Sequence, residues 1–362
     1  MTSNLTKEDI LEVLNATDSE IIKFMSETVK YRENHLITYS KNVFIPLTEI
    51  CRNDCGYCNF KKNPDDPEAI ILKSKKEVLE ALKEAEQYGC KEALFTFGED
   101  ADEEEAVQSR LEEFGYDTMV DYVVDICQMT LDETSLIPHT NGGNYSYDDL
   151  KKLKEVNGSM GLMLENSSKR LMELPAHNKS PGKNPEIRLE TIENAGKLKI
   201  PYTTGILIGI GETKEEVADS LLAIRDLYDK YGHIQEVIIQ NFTPIPGIEM
   251  ENWPEPSFLD MIRTVIAGTL LFGDTDVSIQ VPPNLNNETA QIFLLCGADD
   301  WGGVSPVSPD FVNITSPWPG IDELEKLTVD AGFELTERLC VYEKYVNKEW
   351  LNDRLIEQIN RF

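Results

Sequence analysis

A repeated alternation limits how this chain can fold more than any other feature. Short apolar runs fall at residues 42–47, 93–97, 135–139, 159–164, 203–209, 235–240 and 277–281, with a weaker one at 299–304. Between them lie stretches with apolar residues at helical spacing, including 75–88, 147–156, 187–198, 214–231 and 257–270. Strands that alternate with helices pair in parallel. Seven or eight such units in succession predict an α/β fold closed into an eight-stranded (β/α) barrel of the TIM type. Residues 5–33 carry Leu5, Ile10, Leu14, Ile21, Met25 and Val29 near helical spacing, with Thr6 and Thr17 as candidate caps. The predicted organisation is a helical extension over 1–36, the barrel over 37–320, and an extension over 321–362 packed on the barrel. That last piece reads as a helix, a short strand and a closing helix.

The formal net charge is −31. A surface this acidic repels phosphate backbones and anionic headgroups, which argues against nucleic acid or a membrane as partner. No apolar run is long enough to span a bilayer, and the first residues lack the basic and apolar regions of a secretory signal. The expected location is the cytoplasm.

Of the seven cysteines, Cys90, Cys127, Cys296 and Cys340 are scattered through apolar or mixed segments and read as buried thiols. Cys51, Cys55 and Cys58 are different. They form a C-x3-C-x2-C triplet in a polar loop, with Arg52, Asn53 and Asp54 between them, directly after the first predicted strand. A structural zinc site needs four ligands, commonly as paired knuckles. The next cysteine is Cys90 and the nearest histidine is His35, so no fourth ligand is evident. Three thiolates on one short loop suit a [4Fe–4S] cubane with one iron left open. In a barrel the chemistry sits at the C-terminal strand ends. The unusual residues here follow the strands in the same way: Gly98-Glu99, His139 to Gly143, Glu165-Asn166, Gly209 to Thr213 and Asn241.

The triplet and these strand ends together resemble the radical S-adenosylmethionine (SAM) superfamily. The resemblance implies that Cys51, Cys55 and Cys58 ligate the cluster and that its open iron binds SAM. It implies an aromatic near the adenosyl group at Tyr57, an amine site at Gly98 and Glu99, a ribose contact at Glu165 and a carboxylate contact at Arg188. It places the adenine against Gly205, Ile206 and Gly209. Longer stretches narrow the match. Ile37 to Thr48, Pro138 to Asn141, Ser180 to Pro185, Ile200 to Gly205, Gly232 to Phe242, Gln280 to Leu285 and Asp300 to Pro306 resemble the CofG family. CofG is the smaller half of 7,8-didemethyl-8-hydroxy-5-deazariboflavin (FO) synthase. Two departures stand out: Gly142-Gly143-Asn144 where a proline turn is expected, and the acidic Glu49 and Asp54 beside the cysteine loop.

The CofG resemblance implies a lyase that closes a ring and releases ammonia. Its substrate is the adduct of tyrosine with a ribityl-diaminouracil. Implied partners are CofH, which makes the adduct, and a low-potential donor such as a ferredoxin or flavodoxin. A substrate both polar and aromatic needs amides and carboxylates over an apolar floor. His139, Asn141 and Gln240 are the catalytic candidates, with His139 as a proton acceptor. Asn241, Asn284 and Asp300 are the substrate-binding candidates. Two other readings use the same triplet: a different enzyme of the biotin-synthase-like group, and a non-enzymatic iron–sulfur carrier.

Overall fold

The structure, a computed structural model, describes residues 5–31 and 35–362. Eight strands follow the apolar runs: β1 (Leu36–Thr48), β2 (Glu92–Phe97), β3 (Ile137–Asn141), β4 (Ser159–Gly161), β5 (Tyr202–Ile208), β6 (Ile234–Asn241), β7 (Ser278–Gln280) and β8 (Asp300–Val304). Each pairs in parallel with the next, and β1 pairs with both β8 and β2, which closes the barrel. Helices cover the outside, including Lys75–Gln87, Tyr147–Lys154, Pro185–Lys197, Lys214–Tyr231 and Phe258–Phe272. The crossover from β2 to β3 adds two more, Glu105–Phe114 and Met119–Glu133. Core residues such as Phe95, Ile126, Ile206, Leu221 and Val265 fill the space between strands and helices. A single continuous layer of this kind is what holds a (β/α) barrel together.

The N-terminal helices, Lys7–Leu14 and Asp18–Thr28, pack on the outer helices Lys214–Tyr231 and Phe258–Phe272. Both begin at the expected threonines. The Thr6 amide donates to Asp9 at 2.8 Å and the Thr17 amide to Glu20 at 3.0 Å, the reciprocal bonds of a capping box. The predicted helical reading of residues 32 and 33 lies outside the described residues.

The C-terminal segment does more than lie on the barrel. After the helix Ile321–Asp330, β9 (Glu334–Arg338) joins the sheet in parallel with β1, from Leu36↔Glu334 to Ser40↔Arg338. β1 is long enough to pair with β9 along its first half and with β2 from Asn42 onward. β9 therefore enters at the N-terminal end of the barrel, and Arg338 and Cys340 line the lumen from below. The segment is tied down by Ser159 Oγ and Gln235 Nε2, which donate to the Cys340 carbonyl at 2.7 and 2.8 Å.

Candidate functional site

The lumen is one cavity of ≈ 370 Å³ that runs from the cysteine loop at the mouth to Arg338 at the floor. Cys51, Cys55 and Cys58 line its upper wall and are free and partly exposed, whereas Cys90, Cys127, Cys296 and Cys340 are buried. The triplet loop is clamped on several sides through its backbone. The amides of Arg52, Asp54 and Gly56 donate to the carbonyls of Glu99, Lys179 and Ala176 at 3.0, 3.2 and 3.1 Å. Two glycines allow that approach: a Cβ on Gly98 would collide with the Ile50 carbonyl, and one on Gly56 with the Pro175 carbonyl. Burial raises the Cys51 thiol and pushes Cys55 up to about 12, with the neighbouring cysteines adding to both. Thiols so raised, Cys51 and Cys55, become thiolates only against a strongly cationic partner. Among the described residues no three His, Cys, Asp or Glu side chains converge tightly on one point, as a single ion requires. Three soft donors on one loop are the ligand type of an iron–sulfur cubane.

Facing the thiols is a buried network of two ion pairs. The 3-10 turn Pro181–Lys183 runs into the helix Pro185–Lys197, with Asn184 as cap and Pro185 in the first turn. That corner delivers Lys183 and Arg188 into the lumen. Arg188 Nη1 lies 3.1 Å from Glu99 Oε2, and its Nε donates to the Met163 carbonyl at 2.7 Å. Lys183 Nζ lies 2.6 Å from Glu165 Oε1. Burial works to raise both carboxyls, but Arg188 and Lys183 outweigh it and hold Glu99 and Glu165 below the ordinary range. Glu165 is held at φ 63°, a left-handed conformation that costs a non-glycine residue about 1–2 kcal/mol. Such strain persists where the surroundings fix a side chain for use.

The sequence assigns no role to Lys183, Asn53 or Asn144, which lie within its motifs. Asn53 Oδ1 accepts from the Gly182 amide at 2.9 Å, joining the triplet loop to the Lys183 turn. Asn144 Nδ2 donates to Glu99 Oε1 at 2.8 Å and to the Gly182 carbonyl at 2.7 Å. The Gly142-Gly143 departure makes that reach possible. Gly143 sits at φ 105°, and a Cβ there would stand 2.5 Å from Glu99 Cγ. Tyr57 packs edge-on to His177, and its hydroxyl lies 3.1 Å from His177 Nε2.

Most sequence-predicted residues meet in this lumen: Tyr57, Gly98, Glu99, His139, Asn141, Glu165, Arg188, Gln240, Asn241 and Asn284 all line it. Four do not. Gly205 is packed under the neighbouring strand, where a Cβ would meet the Ile238 carbonyl. Ile206 points outward into the core between strands and helices. Gly209 lies against Pro256 beside a separate crevice, and Glu212 accepts its amide hydrogen at 2.7 Å. Asp300 is the first residue of β8, not its end, and is buried beneath the lumen against Arg338 at 2.5 Å. Strand parity, which the apolar run leaves open, turns Ile206 outward between the lumen-lining Thr203 and Leu207. The acidic departures stay peripheral: the Glu49 carboxylate accepts the Ile70 amide at 2.9 Å, and Asp54 faces Lys61 at 3.7 Å.

His139 stands lower in the lumen. Its Nδ1 lies 2.7 Å from Ser159 Oγ, whose hydrogen is already given to the Cys340 carbonyl. Nδ1 must therefore carry the proton, and Nε2 presents a bare lone pair. Burial, then Arg338, pushes His139 down to about 3, so it stays neutral.

A parallel barrel with a cysteine triplet at the C-terminal mouth, opposite buried carboxylate–cation pairs, defines a radical SAM enzyme. Residues 45–224 match the Radical SAM superfamily. The chain is 81% identical over 92% of its length to a 7,8-didemethyl-8-hydroxy-5-deazariboflavin synthase of Methanobrevibacter smithii, covering 99% of that protein. It is 52% identical over 98% of its length to the synthase of that name from Methanocaldococcus jannaschii, covering 98% of it. The chain belongs to this deazariboflavin synthase family. Two solved structures share the fold at low identity. The [FeFe]-hydrogenase maturase HydG aligns with a TM-score of 0.75 at 17% identity, over 92% of this chain and 73% of that one. Methylornithine synthase (PylB) aligns with a TM-score of 0.71 at 18% identity, over 92% and 94%.

Proposed function

We propose that this enzyme converts 5-amino-5-(4-hydroxybenzyl)-6-(D-ribitylimino)-5,6-dihydrouracil to FO with release of ammonia. The observation that carries the reading is the meeting of the three thiols and the Glu99–Arg188 pair in one lumen. It does so in a chain 81% identical to a deazariboflavin synthase. Cys51, Cys55 and Cys58 would be the sole protein ligands of a [4Fe–4S] cluster, which leaves one iron for SAM. When bound, that pair supplies the carbon radical that removes a hydrogen atom from the substrate.

The chain's own residues position and shield. The Arg188 fork suits the methionine carboxylate and Glu99 the ammonium. Glu165 is placed for the ribose hydroxyls. Phe97, Leu162 and Phe242 line the same space and keep water from it. Asn141 and Gln240 present amides with no partner among the described residues, ready for the uracil and phenol. Asn241 and Asn284 border them, and Asn284 is fixed by Asp310 at 2.8 Å. A histidine as weakly basic as His139 serves at neutral pH as a hydrogen-bond acceptor rather than as a base. A CofH-type enzyme would supply the adduct, and a ferredoxin or flavodoxin the electron. No helix among the described residues is long and apolar enough to cross a membrane, in keeping with a cytoplasmic enzyme.

Anaerobic turnover of the adduct with SAM and a low-potential reductant tests the reading. FO fluorescence should rise with 5′-deoxyadenosine. Deoxyadenosine without FO would show a radical SAM enzyme with another substrate. Alanine at any one of Cys51, Cys55 or Cys58 should remove the [4Fe–4S] absorption after reconstitution, and full cluster content in such a variant overturns the ligand set.

A further inference from the structure

The lower half of the lumen has no part in the SAM site. Glu92 opens β2 and Gly98 follows its end, a path of roughly 20 Å at about 3.3 Å per residue. The thiols and ion pairs occupy only the upper end. The lower end is polar, although the interior of a barrel is commonly filled with apolar side chains.

Among the groups that face this deep space are His139, Glu236, Gln280 and Arg338. Two of them offer unused hydrogen-bonding capacity among the described residues, the bare Nε2 of His139 and the whole amide of Gln280. Room for both is made by glycines. Gly161 faces His139, where a Cβ would lie 3.1 Å from Nε2. Gly302, at φ 76°, faces Gln280, and a Cβ there would overlap the amide. Arg338 is held by Asp300 at 2.5 and 2.8 Å and by Glu236 at 2.9 Å. Glu236 also accepts from Thr203 Oγ1 at 3.1 Å. Burial pushes Glu236 up to about 8, against the pull of Arg338, so its carboxyl is protonated near neutral pH and can donate as well as accept.

The floor thus mixes donors and acceptors with little charge to spare. One guanidinium is already shared by two carboxyls, and Glu92 adds a third acid nearby. Among the described residues, a phosphate or carboxylate would find no free cation there. An apolar group would leave His139 and Gln280 unpaired, each with the cost of a buried polar group left without a hydrogen bond. An uncharged chain of hydroxyls satisfies every group, because each hydroxyl both donates and accepts.

We propose that His139, Gln280 and the Glu236–Arg338 pair form a polyol subsite that receives the ribityl arm of the substrate, with the ring system left above it beside the SAM site. The assignment rests on the reading of the substrate given above. It also gives the C-terminal strand a role in recognition, since β9 brings Arg338 to the floor.

The test compares two ligands on cluster-loaded enzyme with SAM and without reductant, so that nothing turns over. One is the adduct, and the other is the same ring system with a methyl group in place of the ribityl arm. The wild-type enzyme should bind the full adduct at least about tenfold more tightly, the worth of one or two hydrogen bonds. Gln280→Ala and Glu236→Ala should each erase most of that difference while affinity for the methyl analogue and SAM stays within about twofold. His139→Gln provides a third variant should either of these fail to fold. Equal weakening of both ligands in the variants, or a wild-type enzyme indifferent to the arm, overturns the subsite. The two proposals fail separately. Arm-dependent binding without FO formation removes the reaction and keeps the subsite, and FO formation without arm dependence does the reverse.

Discussion

At the scale of single residues, the two ion pairs in the lumen fix their own side chains through buried contacts. Arg188 is buried and bonded to Glu99 and to the Met163 and Gly182 carbonyls, so its guanidinium is already oriented. Arg188→Ala should raise the dissociation constant for SAM by about tenfold or more and leave the cluster spectrum intact. Equilibrium dialysis against reconstituted protein measures it, and an unchanged constant removes Arg188 from the SAM site. Arg188→Lys keeps the charge without the fork and should recover only part of the loss. The unpartnered amides make a different prediction. Asn141→Ala and Gln240→Ala should still form 5′-deoxyadenosine slowly, while FO formation falls by about tenfold. Wild-type FO rates in both variants would place the ring system elsewhere.

Between elements, close approach and charge pairing matter more than area. The turn after β2 presses on the cysteine loop at Gly98, where a side chain would strike the Ile50 carbonyl. Gly98→Ala should leave a folded barrel by circular dichroism but lower the iron content after reconstitution, because the thiol loop must shift to admit the methyl group. β9 makes the opposite case, an element whose removal leaves charges behind. Asp300 and Glu236 are buried and share Arg338. Arg338→Met should cost about 3–5 kcal/mol, since it strands buried carboxyls without their partner. Adding Asp300→Asn to that variant should return part of the stability, read as the midpoint of chemical denaturation. Additive losses in the double variant would show that the pair does not act as a unit.

Over the whole molecule, buried neutral histidines set one arm of the stability curve. Burial pushes His139 and His177 down to about 3 and His233 to about 4, from an ordinary value of 6.5. Below pH 6.5 the unfolded chain takes up protons that the folded one refuses, so the unfolded state binds more and stability falls as the pH drops. Glu236, raised to about 8, and Glu92, Asp100 and Glu212, also raised by burial, act oppositely, because the folded chain takes up their protons first. The histidine share of the pH dependence is a decline in the denaturation midpoint from pH 6.5 toward pH 4, and substitution isolates it. His233→Gln, remote from the lumen and bonded to the Ile192 carbonyl, should flatten that decline; an unaltered slope would clear His233 of any part in it. The sequence alone determined the barrel, the helical caps and the thiol triplet, because periodicity, capping and ligand spacing are local properties written in neighbouring residues. Lys183 and Asn144 could have been noticed from the Pro-Gly-Lys-Asn and Gly-Gly-Asn turns, but their bonds to Glu165 and Glu99 join segments far apart in the chain. Only the tertiary structure decided which face of β5 meets the lumen, that Asp300 pairs with Arg338 beneath it, and that β9 enters beside β1 to make the floor. Those outcomes depend on strand register and on buried charges finding partners across the fold, and a one-dimensional pattern of apolar residues encodes neither.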